Sequence, residues 1–307
     1  MPNATEIKNG VFTEDNVTML HAKDGSIPQN YNNLILKEVI QNSKVMQLGK
    51  FEEMDNLEKK FTFTTDGPGA YWVGEGQKIK TSKPTIVQAK LTAKKLGVII
   101  PVSREYLNYT QADFFEAVRP KIAEAFYKKF DEAVILNVDN PFPQSIEESI
   151  KAAGAGHTVK GGVNYDNVFA VEDAILSADH DVTAFISQRK NISLLRNANK
   201  VEGGVTVDRL FDRQANTLDG VEVVNLKSKS FEDGTLYAGD FDNLYYGIPY
   251  GMSYKISEEG QLSTLTNEDG TPVNLFEQEL VALRVTMDVA MMIVKDDAFA
   301  KVVKSGK

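Results

Sequence analysis

The stretch that most constrains this chain is residues 110–137, TQADFFEAVRPKIAEAFYKKFDEAVILN. Phe115, Val118, Ile122, Phe126, Phe130, Ala133 and Leu136 recur at steps of three and four, which lays one apolar stripe along an α-helix. Thr110 suits the N-cap, and Asp113 complements the positive helix end. Lys121, Lys128, Lys129, Asp131 and Glu132 fall largely off the stripe and read as its solvated face. Pro120 either kinks the helix or opens a second one at its N1 position. At 1.5 Å per residue the element spans about 40 Å. A rod of that length suits an elongated molecule.

Two strands precede this helix. Lys60-Phe61-Thr62-Phe63-Thr64 alternates polar and apolar. Val87, Ala89, Leu91 and Ala93 then share one face against Gln88, Lys90, Thr92 and Lys94. After Lys95 the parity reverses, with Leu96, Val98, Ile100 and Val102 in phase, which predicts a one-residue bulge near Lys94-Lys95. The two strands read as a long hairpin. Between them lies DGPGAYWVGEGQKIKTSKP, residues 66–84, which holds the only tryptophan. Loops beyond about 12–15 residues are usually functional or disordered. Trp72, beside Tyr71 and Val73, either folds back on its own hairpin or docks on a neighbouring subunit, where large aromatics concentrate binding energy.

Residues 1–31 are polar and aperiodic, either an extended arm or a disordered tail. Residues 33–49 predict a short helix closing at Gly49. Asn140-Pro141-Phe142-Pro143 is a break, and the small, flexible composition of residues 151–162 places a domain boundary nearby. Residues 163–250 read as a mixed α/β unit. A helix over 164–178 carries Val168, Val171 and Ile175 on one side, and a strand over 182–186 ends at Ser187, a candidate N-cap for a helix to Leu195. Asp219-Gly220 is a turn before a strand over 221–224, and residues 236–241 and 244–248 read as a strand pair. Residues 283–293 alternate as one long strand, buried on both faces towards its end.

Composition narrows the function classes. A chain of 307 residues holds one large domain or two smaller ones. The absence of cysteine removes disulfides, cysteine zinc sites and thiol nucleophiles, and fits a reducing compartment. The N-terminus shows neither the basic nor the apolar region of a signal peptide, and no apolar run approaches the ~20 residues that span a bilayer, so no membrane partner is expected. A net charge of −9 lacks the overall basic footprint of a nucleic-acid-gripping protein, yet permits a shell that encloses DNA without binding it.

No catalytic constellation emerges. His21, His157 and His180 lie far apart without metal-ligand spacing, and Asp179-His180-Asp181 falls where a polar turn is expected. The P-loop, the dinucleotide fingerprint and the nucleophile elbow are missing. Asp131-Glu132 are helical neighbours that do not share a face, and Glu147-Glu148 reads as a solvated pair. No catalytic, cofactor-binding or metal-binding residue is assigned, and no cofactor is expected.

Taken in order, several motifs resemble those of tailed-phage major capsid proteins, most similar to siphophages of Gram-positive hosts. Ala70-Tyr71-Trp72-Val73-Gly74-Glu75-Gly76, then Lys78-Ile79 and Ser82-Lys83-Pro84-Thr85-Ile86, resemble that family's extended loop. Residues 95–107 (KLGVIIPVSREYL) resemble its strand into the spine helix, and residues 125–136 the spine helix itself. Leu218-Asp219-Gly220-Val221, Gly239-Asp240-Phe241, Asn274-Leu275-Phe276, Arg284 and Asp297-Ala298-Phe299 are similar to its later blocks. The ordered match covers roughly residues 33–303.

The resemblance implies an α+β HK97-type capsid fold. Its parts are an N-terminal arm (1–31), a peripheral domain (32–58 and 96–160 with the spine helix), an extended loop (59–95), an axial domain (161–250) and peripheral return strands (251–307). It implies a structural, non-enzymatic protein that assembles with itself into hexamers and pentamers, forming the icosahedral head around double-stranded DNA held without sequence-specific binding. The location implied is the virion, assembled in the host cytoplasm. About thirty residues precede the first helix, which favours a separate scaffolding protein, and a portal is expected as a further partner. Tyr71, Trp72, Val73, Glu75, Lys78 and Ile79 are the implied inter-subunit contacts. Lys78, Lys80 and Lys83 match a cross-linking lysine by position only, and no cross-link is predicted. Two other readings stay open at this level: an encapsulin-type cargo compartment, and a soluble two-domain hydrolase whose paired carboxylates lie far apart in sequence.

Overall fold

The computed structural model describes residues 29–64, 78, 86–202, 205–268 and 270–304. Six helices are described: α1 (Gln29–Asn42), α2 (Lys44–Leu48), α3 (Arg104–Leu136), α4 (Ile146–Ala153), α5 (Tyr165–Leu176) and α6 (Ile192–Asn197). The strands are β1 (Lys50–Phe51), β2 (Glu58–Thr64), β3 (Ile86–Ser103), β4 (Thr158–Lys160), β5 (Ala184–Ser187), β6 (Asn199–Glu202), β7 (Val205–Arg209), β8 (Phe211–Asp212), β9 (Thr217–Leu218), β10 (Val221–Asn225), β11 (Leu236–Gly239), β12 (Leu244–Gly247), β13 (Ser253–Ser257), β14 (Gln261–Thr266), β15 (Pro272–Asn274), β16 (Leu280–Ile293) and β17 (Phe299–Val303).

The long helix is longer than its stripe. It runs for 33 residues, about 50 Å at the standard rise. It begins directly where β3 ends, so Thr110 lies inside it and is not its N-cap. Pro120 sits inside the same continuous helix and opens no second one. A proline costs an interior hydrogen bond, and the turns beyond it supply the compensating burial: Ile122, Ala123, Phe126, Phe130, Ala133, Val134 and Ile135 all lie in the core. The helix stops at Asn137, whose φ of 58° is the left-handed conformation that asparagine tolerates.

The first sheet has the order β1-β12-β16-β3-β2, with β13 also on β16. Its spine is the antiparallel pairing of β3 with β16, in unbroken register from Leu280↔Ser103 to Met291↔Thr92. The pairing of β2 with β3 is equally regular, from Glu58↔Thr92 to Thr64↔Ile86. The bulge expected at Lys94-Lys95 is therefore absent. The parity switch has another cause: the two ends of β3 are covered on opposite faces. Leu96, Val98, Ile100 and Val102 pack against the main core, whereas Leu91, Ala89 and Ala93 pack with Met54, Ala290 and Met292 on the reverse side. The end of β16 is buried on both faces, as its sequence predicts.

The second sheet has the order β4-β17-β11-β5-β10-β9-β8. The segments over 236–241 and 244–248 do not pair with each other. β11 joins β17 and β5 in the second sheet, and β12 joins β1 and β16 in the first, with the 3-10 turn Phe241–Asn243 carrying the chain across. The chain's last strand, β17, lies in the second sheet between β4 and β11. Val168, Val171 and Ile175 of α5 are fully buried against Phe185, Val223, Leu236 and Val302. Asp219 and Gly220, both at positive φ, make the tight turn between β9 and β10.

Other expectations change in detail. The helix over 33–49 is two helices, α1 and α2, broken at Ser43. Gly49 is extended, and its role is close approach: a Cβ there would lie 2.9 Å from Val45 O and 3.0 Å from Leu244 O. Residues 151–162 are not a bare linker. They hold the end of α4, a 3-10 turn and β4, and His157 Nδ1 lies 2.9 Å from Phe299 O. Ser187 is the buried last residue of β5, and α6 starts after Asn191.

Candidate assembly interface and its buried polar anchors

The hairpin of β2 and β3 holds both ends of the loop singled out by its tryptophan. Lys78 is exposed. Tyr71, Trp72, Val73, Glu75 and Ile79 lie outside the described residues, as do His21 and residues 1–28 of the arm expected over 1–31, whose last three residues already belong to α1. Several large apolar side chains point to solvent: Phe276 is 74% exposed, Val201 and Val207 on the β6–β7 hairpin are each 59% exposed, and Phe51 is 54% exposed.

Behind these surfaces, buried polar groups fix the elements to one another. Asp131 is the largest departure from sequence reasoning. It is not on a solvated face but 1% exposed, and it caps α2 from the long helix. Ser43 Oγ donates to its Oδ1 at 2.6 Å, Lys44 N–H to Oδ2 at 2.8 Å and Val45 N–H to Oδ1 at 3.2 Å. Burial nonetheless pushes its carboxyl up to about 6, against the opposing pull of these three donors. Ser43 in turn caps α2 by accepting from Met46 N–H at 3.2 Å. Arg119 on α3 and Glu38 on α1 add an ion pair at 3.1 Å. Glu132, the neighbour of Asp131, accepts from Ser228 Oγ at 2.6 Å.

Glu147 also departs from the solvated reading. Its carboxylate meets Lys301 Nζ on β17 and accepts from the Tyr237 hydroxyl on β11 at 3.1 Å. Burial first, and then the Glu147 charge, raise the Tyr237 phenol well above its ordinary range. Only Glu148 of that pair is exposed. His180 likewise joins more than a turn: its ring lies 3.2 Å from Asp297 Oδ1 and 3.5 Å from Asp240 Oδ2, tying the turn after α5 to the end of the β11–β17 pair where Gly239 meets Phe299. Each of these contacts links segments remote in sequence, and each reads as a fastener of the fold. No motif in the sequence announces them.

Comparison with known proteins settles the kind of molecule. A model of the phage capsid family matches residues 25–304. The chain belongs to the phage capsid family. It is 53% identical over 305 residues to the major capsid protein of Staphylococcus phage 80alpha, spanning 99% of this chain and 93% of that protein. Among solved structures, a chain of Mycobacterium phage Adephagia superposes with a TM-score of 0.69 at 19% identity, covering 99% of this chain and 97% of the other. The capsid of a native GTA particle superposes at 0.63 and 14% identity over both full chains. The fold is the α+β HK97-type capsid fold. This chain is a structural capsid protein of the virion that assembles with copies of itself. The relatives support neither the cargo-compartment reading nor the hydrolase reading.

Proposed function

We propose that copies of this chain close into hexamers and pentamers that tile an icosahedral head around double-stranded DNA, with the loop between β2 and β3 clasping an adjacent subunit. The observation that supports this reading is the long β2–β3 hairpin, whose strands flank the segment that contains the only tryptophan. Residues 32–58, 96–160 and 251–307 form the peripheral part and residues 161–250 the axial part, with β4 and β17 lent to the axial sheet and β12 to the peripheral sheet. Tyr71, Trp72, Val73, Glu75, Lys78 and Ile79 are the contact residues of the clasp. A separate scaffolding protein and a portal complete the assembly, which takes place in the host cytoplasm. Individually weak contacts suffice, because many act together and poor placements can dissociate.

The test is Trp72→Ala. The variant should stay soluble, with the circular dichroism and melting temperature of the unsubstituted chain, while electron microscopy shows shells greatly reduced in number. A variant that assembles normally, or one that is unfolded, sinks the clasp reading.

A further inference from the structure

The charge of −9 hides a local exception. A cleft of about 710 Å³ runs between the C-terminal half of α3, the turn after β5 and the segment after β10. Lys128, Lys129, Arg189, Lys190, Lys227 and Lys229 line it. Three of these lysines have partners at the rim: Lys128 with Glu124, Lys129 with Asp139 at 2.6 Å, and Lys190 with Asp233 at 3.8 Å. Glu132 is the one carboxylate in the lining; Ser228 Oγ donates to its Oε1, and six cations stand against its single charge. Arg189, Lys227 and Lys229 are exposed and lie in no ion pair with a described residue, and the Lys227 charge also acts on Glu124.

The geometry points to a binding site for the phosphodiester backbone of duplex DNA in this cleft. Exposed Lys and Arg around an open trough are the groups that meet phosphates. Among the described residues no aromatic side chain lines the cleft. Single-strand sites combine basic grooves with aromatic platforms for the bases, so a site with cations alone reads the backbone of a duplex and not its sequence. A protein partner anchors on aromatic side chains seated in pockets, whereas the apolar surface of this cleft is made by Ala125, Leu226 and the aliphatic stems that carry its cations. The competing occupant is an acidic peptide, because the buried Gln188 Oε1 in the same wall has no hydrogen-bond partner and would take a peptide N–H. The inference rests on the reading of this chain as a DNA-enclosing shell protein and adds that the shell touches its contents through a defined set of cations.

The experiment compares the full-length, unassembled chain with the R189Q/K227Q/K229Q variant by fluorescence anisotropy. The probe is a random-sequence duplex of about 30 base pairs, titrated across about 50–200 mM salt. Removing three phosphate contacts should make the slope of log K against log salt shallower by about three and lower affinity at least tenfold at low salt. A K227R/K229R variant should bind like the unsubstituted chain. An unchanged slope and affinity in the glutamine variant overturn the proposal, as does an oligoglutamate of matched charge that binds the unsubstituted chain more tightly than the duplex. Shell formation is scored separately by electron microscopy. Failure of the unsubstituted chain to form shells counts against the shell reading, whereas intact shells from a variant with undiminished duplex binding count against this inference alone.

Discussion

Asp131→Asn tests how a carboxylate anchored by three donors behaves once it is buried. The substitution keeps the shape of the side chain and removes its titration. In the folded chain the carboxyl moves from 3.8 to about 6, burial outweighing the Ser43, Lys44 and Val45 donors. Between those values the folded chain binds more protons than the unfolded chain, so stability must fall as pH rises. The contribution is complete below about pH 3.8 and is lost as pH climbs through about 6. A lift of about 2 in pKa corresponds to about 3 kcal/mol. The asparagine variant has no such dependence, and its amide NH₂ faces donors that need an acceptor, a constant penalty of about 1–3 kcal/mol. Urea unfolding of both chains, unassembled, should show the stability difference, unsubstituted minus variant, shrinking by about 3 kcal/mol between about pH 4 and pH 7. Other carboxylates titrate alike in both chains and cancel. A difference that is flat, or that grows with pH, would mean that the three hydrogen bonds outweigh desolvation, and the reasoning about this site fails.

Three further outcomes follow from the packing. Gly239→Ala drives a Cβ into the Phe299 ring and to 3.3 Å from Ala298 O, and Phe299 is fully buried against Phe241, so the ring has nowhere to go; a loss of about 2–4 kcal/mol in thermal or urea unfolding is expected, and a neutral result would mean the interior β11–β17 pair is loosely packed. Glu147→Gln leaves Lys301 partly buried without its counter-ion and should cost about 3 kcal/mol, while the double variant Glu147→Leu/Lys301→Met should recover most of it, and additive losses in that cycle would show no coupling. Glu172 on α5 is buried with Oε1 unpartnered, and burial first, then the charges of Asp219 and Asp173, push it up to about 7. Its stabilising protonated form is lost as pH rises through about 7, so Glu172→Gln should raise the melting temperature near pH 8 and leave it unchanged near pH 4; a gain of equal size at both values would point to a cause other than charge.

The parts of the fold that were legible are those written in local periodicity. The stripe from Ile122 to Ala133 is buried as its spacing requires, and the alternation over residues 283–293 is the core strand β16. What was not legible depends on who the neighbour is. The parity switch in β3 is compatible with a bulge or with coverage of opposite faces, and only the positions of Met54 and Met292 behind Leu91 decide between them. Residues 236–239 and 244–247 are both short apolar strands, yet strand composition carries no address, so nothing local says that they enter different sheets. Asp131 and Glu147 look solvated because a carboxylate in a helix normally is. Their partners, Ser43 and Lys301, are 88 and 154 residues away.

The same argument bears on the surfaces. A lone tryptophan among glycines, as at Trp72, is visible in one dimension. The basic cleft is not visible that way. Lys128-Lys129, Arg189-Lys190 and Lys227 with Lys229 are each unremarkable in a chain with 34 basic and 43 acidic residues. Only the packing of α3 beside the segments that follow β5 and β10 gathers them into one wall. An acidic total therefore sets the long-range field, which disfavours stray nucleic acid. Within about a Debye length, roughly 8–10 Å at physiological salt, the local set of cations governs what a phosphate meets. The salt dependence of duplex binding measures where the balance between the two lies.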